Sequence, residues 1–119
     1  MYNKIKIGEK EIGFAAYAGC DIFYRQIFHE DPTALQYAPD FDEPKMIGFI
    51  QRMGFVMAML AEKPLAEMRK LNEDAFVEWM CGFDRADYMA ALPDIRATYE
   101  GQMLTTSDAK KNNDQPSEG

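Results

Sequence analysis

The sequence predicts an α+β domain, mainly α: an N-terminal β-hairpin packed on a bundle of about four or five short to medium helices. Three observations carry this. Apolar and polar residues alternate with period two over the first sixteen positions. From Cys20 onward the apolar residues recur at three- and four-residue steps, and prolines and acids punctuate the pattern near 31–45, 64 and 84. A length of 119 residues suits one core, placed at 1–104, followed by a polar tail at 105–119.

The hairpin is expected over 2–16. Ile5 and Ile7 alternate with Lys4 and Lys6, Gly8 to Glu11 supply a polar turn, and Ile12, Phe14 and Ala16 alternate again. Such a unit is marginal alone, so the face bearing Ile5, Ile7, Ile12 and Phe14 must lie on helices. A first amphipathic helix, roughly 19–30, follows from Cys20, Phe23, Tyr24, Ile27 and Phe28, and Pro32 should end it. Residues 32–45, with Pro32, Pro39 and Pro44 among acids, read as a loop.

A long helix is expected over 44–62, opened by Asp42 or Glu43 ahead of Pro44 and stopped by Pro64. Leu65, Ala66, Met68 and Leu71 form a short amphipathic turn or helix. Asn72 then caps a helix over 72–83 whose Phe76, Trp79, Met80 and Phe83 make a core stripe. Asp84 starts the last helical stretch, 84–103, with Tyr88, Met89 and Leu92 as anchors. Pro93 opens a further segment carrying Ile95, Tyr99 and Met103. The sequence TTSDAKKNNDQPSEG from Thr105 to Gly119 has Ala109 as its only apolar side chain and is expected to stay solvated.

Function is pointed to first by charge. Twenty acids against thirteen bases give a net charge of -7, with the bases scattered, which argues against a phosphate-binding surface. Cys20 and Cys81 stand far apart without a CxxC motif and read as reduced, buried thiols of a reducing cytoplasm; a single disulfide between them is the alternative. The N-terminus lacks a secretory apolar run, and the apolar stretch at 46–60 is shorter than the roughly 20 residues of a membrane span, so a soluble intracellular protein is expected.

Chemistry finds no constellation to work with. His29 is the only histidine and has no metal-ligand partner at a suitable spacing, so it reads as a helix-terminal residue near the negative dipole end. Asp40, Asp42 and Glu43 lack the glycine and terminal glutamate of an EF-hand loop. No glycine run cradles a phosphate. Neither catalysis nor a cofactor or metal is expected.

The most informative segment is MIGFIQRMGFVMAML, Met46 to Leu60, which is interrupted only by Gln51 and Arg52. At about 100° per residue, Met46, Phe49, Ile50, Met53, Val56, Met57 and Leu60 share one broad side that the core should claim. Phe55 and Met59 fall on the side of Gln51 and Glu62. Two readings follow. Either Gln51, Phe55, Met59 and Glu62 form a second contact surface for self-association or a client, or the helix runs through the centre of the bundle and the monomer covers both faces. Gly48 and Gly54 each cost about 1 kcal/mol relative to Ala within a helix, and close approach of another backbone would explain them. Nine methionines suit a core, and also a surface that repacks against variable apolar partners.

The opening YNKIKIGEKEIGFAA, the helix with Tyr24-Arg25-Gln26-Ile27-Phe28, the stripe FVEWMCGF and the closing Thr105-Thr106 with Lys110-Lys111 together resemble the tail assembly chaperones of long-tailed bacteriophages. The resemblance spans most of the chain. It implies a non-enzymatic protein, of phage or prophage origin, that coats the tape measure protein and recruits tail tube subunits during tail morphogenesis. It also implies a possible homo-oligomer, a place in the bacterial host cytoplasm, and absence from the mature virion. In such families the short product is often extended by ribosomal frameshifting near its C-terminus, and Lys110-Lys111-Asn112-Asn113 requires A-rich codons. The rival reading is an acidic protein-binding inhibitor or antitoxin-like module of a prophage or bacterium. Neither reading involves nucleic acid or membrane as a partner.

Overall fold

A computed structural model describes residues 1–104; the expected polar tail lies outside the described residues. The architecture is mainly α with a two-stranded antiparallel sheet. Strands β1 (Tyr2–Ile7) and β2 (Lys10–Ala15) precede helices α1 (Gly19–Phe28), α2 (Pro32–Tyr37), α3 (Glu43–Glu62), α4 (Leu65–Met68), α5 (Glu73–Met80) and α6 (Arg85–Tyr99).

The hairpin pairs Ile5 with Ile12 and Ile7 with Lys10. Its two-residue connection has positive φ at Gly8 alone, 63°, the pattern of a II′ turn that favours glycine at its first position. Ile5, Ile7 and Phe14 are buried as expected. The same face also carries Asn3, an unexpected buried polar residue. Its amide donates to Thr98 Oγ1 at 2.8 Å and to the Gln102 carbonyl at 3.1 Å, and its Oδ1 accepts from Leu104 N at 3.4 Å. Thr98, also buried, donates in turn to the Asp94 carbonyl. Each buried polar group is therefore satisfied, and the chain beyond α6 is tied to β1.

Helix α3 is the hub: β2, α1, α4, α5 and α6 all pack on it, and β1 lies on α6. Its N-cap is Asp42, whose Oδ1 accepts from Lys45 N at 3.1 Å, with Pro44 in the first turn. Asn72 caps α5 as expected, accepting from Ala75 N at 3.0 Å. Seven consecutive residues, Met53 to Met59, are buried.

The fold departs from four expectations. Residues 32–37 form a helix, not a loop: Asp31 Oδ1 accepts from Thr33 N and Ala34 N, so Pro32 serves as a preorganised first-turn residue and not merely as a terminator of α1. Helix α1 itself ends at Phe28 because His29 adopts the left-handed conformation, φ 56°, with its N–H on the Arg25 carbonyl. Pro93 opens no new helix but sits inside α6, and Met103 lies beyond the helix end, 70% exposed. The α5 stripe is half-buried: Phe76, Trp79, Met80 and Phe83 lid α3 without being enclosed themselves.

Gly54 has a specific steric reason. A Cβ there would stand 2.6 Å from Tyr88 Oη and 3.2 Å from Ile95 Cγ2, so its absence lets α6 side chains, not a backbone, approach α3. No such crowding exists at Gly48, whose nearest neighbour would be an Arg52 nitrogen at 3.3 Å. No helix of the described residues is long and apolar enough to cross a membrane.

Three stability outcomes are expected in urea unfolding. Phe55→Ala should lose about 3–5 kcal/mol, the cost of emptying a closed aromatic site, whereas Val77→Ala on the exposed side of α5 should stay within about 0.5 kcal/mol. Gly54→Ala should lose about 1–2 kcal/mol through overpacking against Tyr88 and Ile95, although alanine is the better helix former by about 1 kcal/mol.

Candidate binding grooves

The four residues expected to form an outward surface on α3 do not do so. Phe55 is 1% exposed, its ring centroid 5.6 Å from that of Phe76 and 5.5 Å from that of Trp79. Met59 is 5% exposed. Gln51 is half-buried, its amide 3.8 Å from Met89 Sδ and its carbonyl accepting from the Tyr88 hydroxyl at 3.4 Å. Glu62 alone is exposed. The reading of Phe55 and Met59 as a free contact surface is overturned, because α5 folds across that side and covers it with Phe76 and Trp79. The alternative, a helix running through the centre of the bundle, describes α3.

Arg52 breaks the apolar run for a reason the sequence did not disclose. Its Nε donates to the Tyr24 hydroxyl at 2.8 Å, its Nη2 lies 3.3 Å from Glu30 Oε1, and Tyr24 donates to that same oxygen at 2.7 Å. The guanidinium also lies over the Tyr24 and Phe28 rings. Burial, reinforced by the hydrogen bond to Glu30, pushes the Tyr24 phenol far above its ordinary range. The cluster is thus a neutral phenol shared by one ion pair, and it clamps α1 to α3.

Among the concavities of the described surface, two border α3. The first, about 450 Å³, runs between the N-terminal half of α3 and the C-terminal half of α6. Met46, Ile47, Ile50, Met89 and Leu92 make its apolar lining, and Glu43, Arg96, Glu100 and Gln102 add polar groups. Within it, Arg96 Nε pairs with Glu100 Oε2 at 3.1 Å. Pro93 also borders this groove, and because it lacks an N–H the Met89 carbonyl has no i+4 donor. The groove therefore combines adaptable thioethers and branched aliphatics with a charged rim.

The second concavity, about 460 Å³, lies between β2, the C-terminal end of α3 and α5. Ile12, Ala58, Met59, Trp79 and Phe83 contribute apolar surface, and Glu11, Glu62 and Glu78 contribute acids. Of the residues singled out on α3, Met59 and Glu62 thus meet at one cleft, while Phe55 and Gln51 do not join them.

Sequence reasoning missed the α3–α6 groove because it gave Met46 and Ile50 to the core and left Ile47 unassigned. Both Met46 and Ile47 are half-buried. The readable signal was Pro93 together with Met89 and Leu92, a helix segment bearing apolar residues beside an interrupted backbone ladder. Among the described residues no group of three His, Cys, Asp or Glu side chains could hold a metal ion.

The two thiols differ sharply. Cys81 is exposed and Cys20 is buried, its Sγ donating to the Ala15 carbonyl at 3.3 Å, and burial raises the Cys20 thiol from 9.0 to about 11. Between those values the unfolded chain releases a proton that the folded chain keeps. Stability from this group is therefore full below about pH 9 and is lost as pH rises toward about 11. Over that window wild type should lose more stability than Cys20→Ala in denaturant titrations. A maleimide should label one thiol of the native protein and two after unfolding. Comparison of the chain with family models, with curated proteins and with solved structures finds no match in any of the three.

Proposed function

We propose that this chain is a tail assembly chaperone of a long-tailed bacteriophage or prophage. In this reading it acts by binding in the host cytoplasm, holding helical segments of the tape measure protein and bringing tail tube subunits to them. The observation that carries the proposal is the α3–α6 groove, taken together with the resemblance in sequence.

An amphipathic helix presents apolar side chains at i, i+3, i+4 and i+7, and a groove between two helices with an apolar floor and charged rim receives that pattern. Met46 and Met89 face the groove, and thioethers adapt to successive apolar side chains of differing shape. A chaperone that must hold many similar segments of one long client needs such tolerance more than tight complementarity. The contact surface is thereby assigned to Ile47, Met46 and Met89 instead of Phe55 and Met59.

Co-expression with a tape measure protein is the direct test, and the chain should co-purify with it. Ile47→Lys combined with Met89→Lys should reduce that recovery by about tenfold or more while leaving the thermal midpoint and helical circular dichroism close to wild type. Undiminished recovery would remove the groove from the proposal. Capture of a basic enzyme in place of the tape measure protein would favour the inhibitor reading.

A further inference from the structure

The two open edges of the hairpin are chemically unlike. Ile7 and Lys10 flank the two-residue turn and so exchange ladder bonds, as do Ile5 with Ile12 and Asn3 with Phe14. The same parity holds at the open end, where Ala16 N donates to the Met1 carbonyl at 2.7 Å and the Met1 amine to the Ala16 carbonyl at 3.2 Å. The intervening residues therefore turn their N–H and C=O groups outward. On β1 these are Tyr2, Lys4 and Lys6; on β2 they are Glu11, Gly13 and Ala15.

Lysines on β1 guard that edge in the usual way against strand addition. On β2 the one lysine, Lys10, stands beside the turn, and none follows from Glu11 to Ala15. The Cys20 thiol occupies the Ala15 carbonyl, but the sheet of the described residues has no third strand, and the backbone groups of Glu11 and Gly13 have no protein partner there. These two residues also line the second cleft, whose apolar floor includes Ile12, Met59 and Trp79.

The charges of that cleft have a definite sign. Lys10 is its single base, and the Lys10 ammonium is already committed, donating to the Gly82 carbonyl at 2.7 Å and lying 5.0 Å from the centre of the Phe83 ring. Glu11, Glu62 and Glu78 are exposed, and among the described residues none of them enters an ion pair.

We infer that the edge of β2 is a strand-addition site for an extended, basic polypeptide segment. The incoming segment pairs its backbone with Glu11 and Gly13. Alternate side chains of the segment enter the floor beside Met59 and Trp79, and its lysines or arginines face Glu11, Glu62 and Glu78. At about 3.4 Å per residue the edge accommodates roughly five residues of strand. Neutralised carboxylates and newly satisfied backbone groups both favour occupancy; a helix cannot supply the second and an acidic strand cannot supply the first, so only a basic extended segment supplies both. This site is separate from the α3–α6 groove and does not depend on the chaperone reading.

Trp79 is the sole tryptophan and lines the cleft, so its fluorescence reports directly on occupancy. The probe is an end-blocked hexapeptide, Lys-Val repeated three times, titrated into the full chain at low salt. Two controls are its Glu-Val counterpart and a copy N-methylated throughout. The basic peptide should change Trp79 emission saturably, and binding of either control should be weaker by about tenfold or more.

Glu62→Lys with Glu78→Lys, both exposed helix positions, should reverse the preference toward the acidic peptide while circular dichroism stays native. The inference is overturned by equal binding of the N-methylated copy, which would mean that side chains alone are recognised. Equal binding of the acidic peptide, or no saturable change with the basic one, would also overturn it. So would self-association of the chain that the basic peptide dissolves, since the occupant would then be a second copy.

Discussion

One constraint governs the molecule: α3 carries apolar side chains on nearly every side, and water must be kept from all of them. A surface helix satisfies one neighbour, but α3 needs several. The hairpin, α1, α5 and α6 each take a sector, so the fold is arranged around this helix as wrapping is around a rod. Seven successive buried residues leave no sector in its middle for solvent. Only at the two ends does the wrapping thin out. The two grooves lie there, one beside the first turns of α3 and one beside its last turn.

The wrapping is fastened by few polar interactions, each in a place where apolar contact would not specify alignment. Asn3 fixes β1 against the C-terminal end of α6, and the Tyr24, Glu30 and Arg52 cluster fixes α1 against α3. Methionine and aromatic surfaces slide past one another at small cost. Hydrogen bonds of defined length and direction do not, so these clusters set the relative positions of elements that burial merely holds together. Tight local packing does similar work at Gly54, where a missing side chain admits Tyr88 and Ile95 from α6.

Binding capacity follows from the same arrangement. A helix so fully enclosed cannot offer its own middle to a partner, so the open surface beside it lies at its ends and on the elements that wrap it. The α3–α6 groove presents side chains in an apolar trough suited to a helix. The β2 edge presents backbone groups above an acidic rim suited to an extended strand. Two sites of different geometry on one small domain would allow a helical client and a second, extended segment to be held together.

Local signals made much of the architecture legible. Period-two alternation placed the hairpin and its core face, and three- and four-residue spacing placed α1, α3 and α5. Asp42 and Asn72 marked helix starts because capping is decided by a side chain and the backbone N–H groups two or three residues away. Asp31 carried the same signal for α2, masked by reading Pro32 as a breaker only. What periodicity does not contain is the identity of the neighbour. A helical projection assigns Phe55 and Met59 a direction, but whether water or α5 lies in that direction depends on how Asn72 and Pro64 turn the chain back, a long-range outcome. The hairpin, the helices and the excess apolar surface of α3 were therefore determined by the sequence itself, through short-range sterics and patterning. Which faces closed and which stayed open as grooves was decided by tertiary packing alone, because burial depends on everything that surrounds a side chain and not on the helix that carries it.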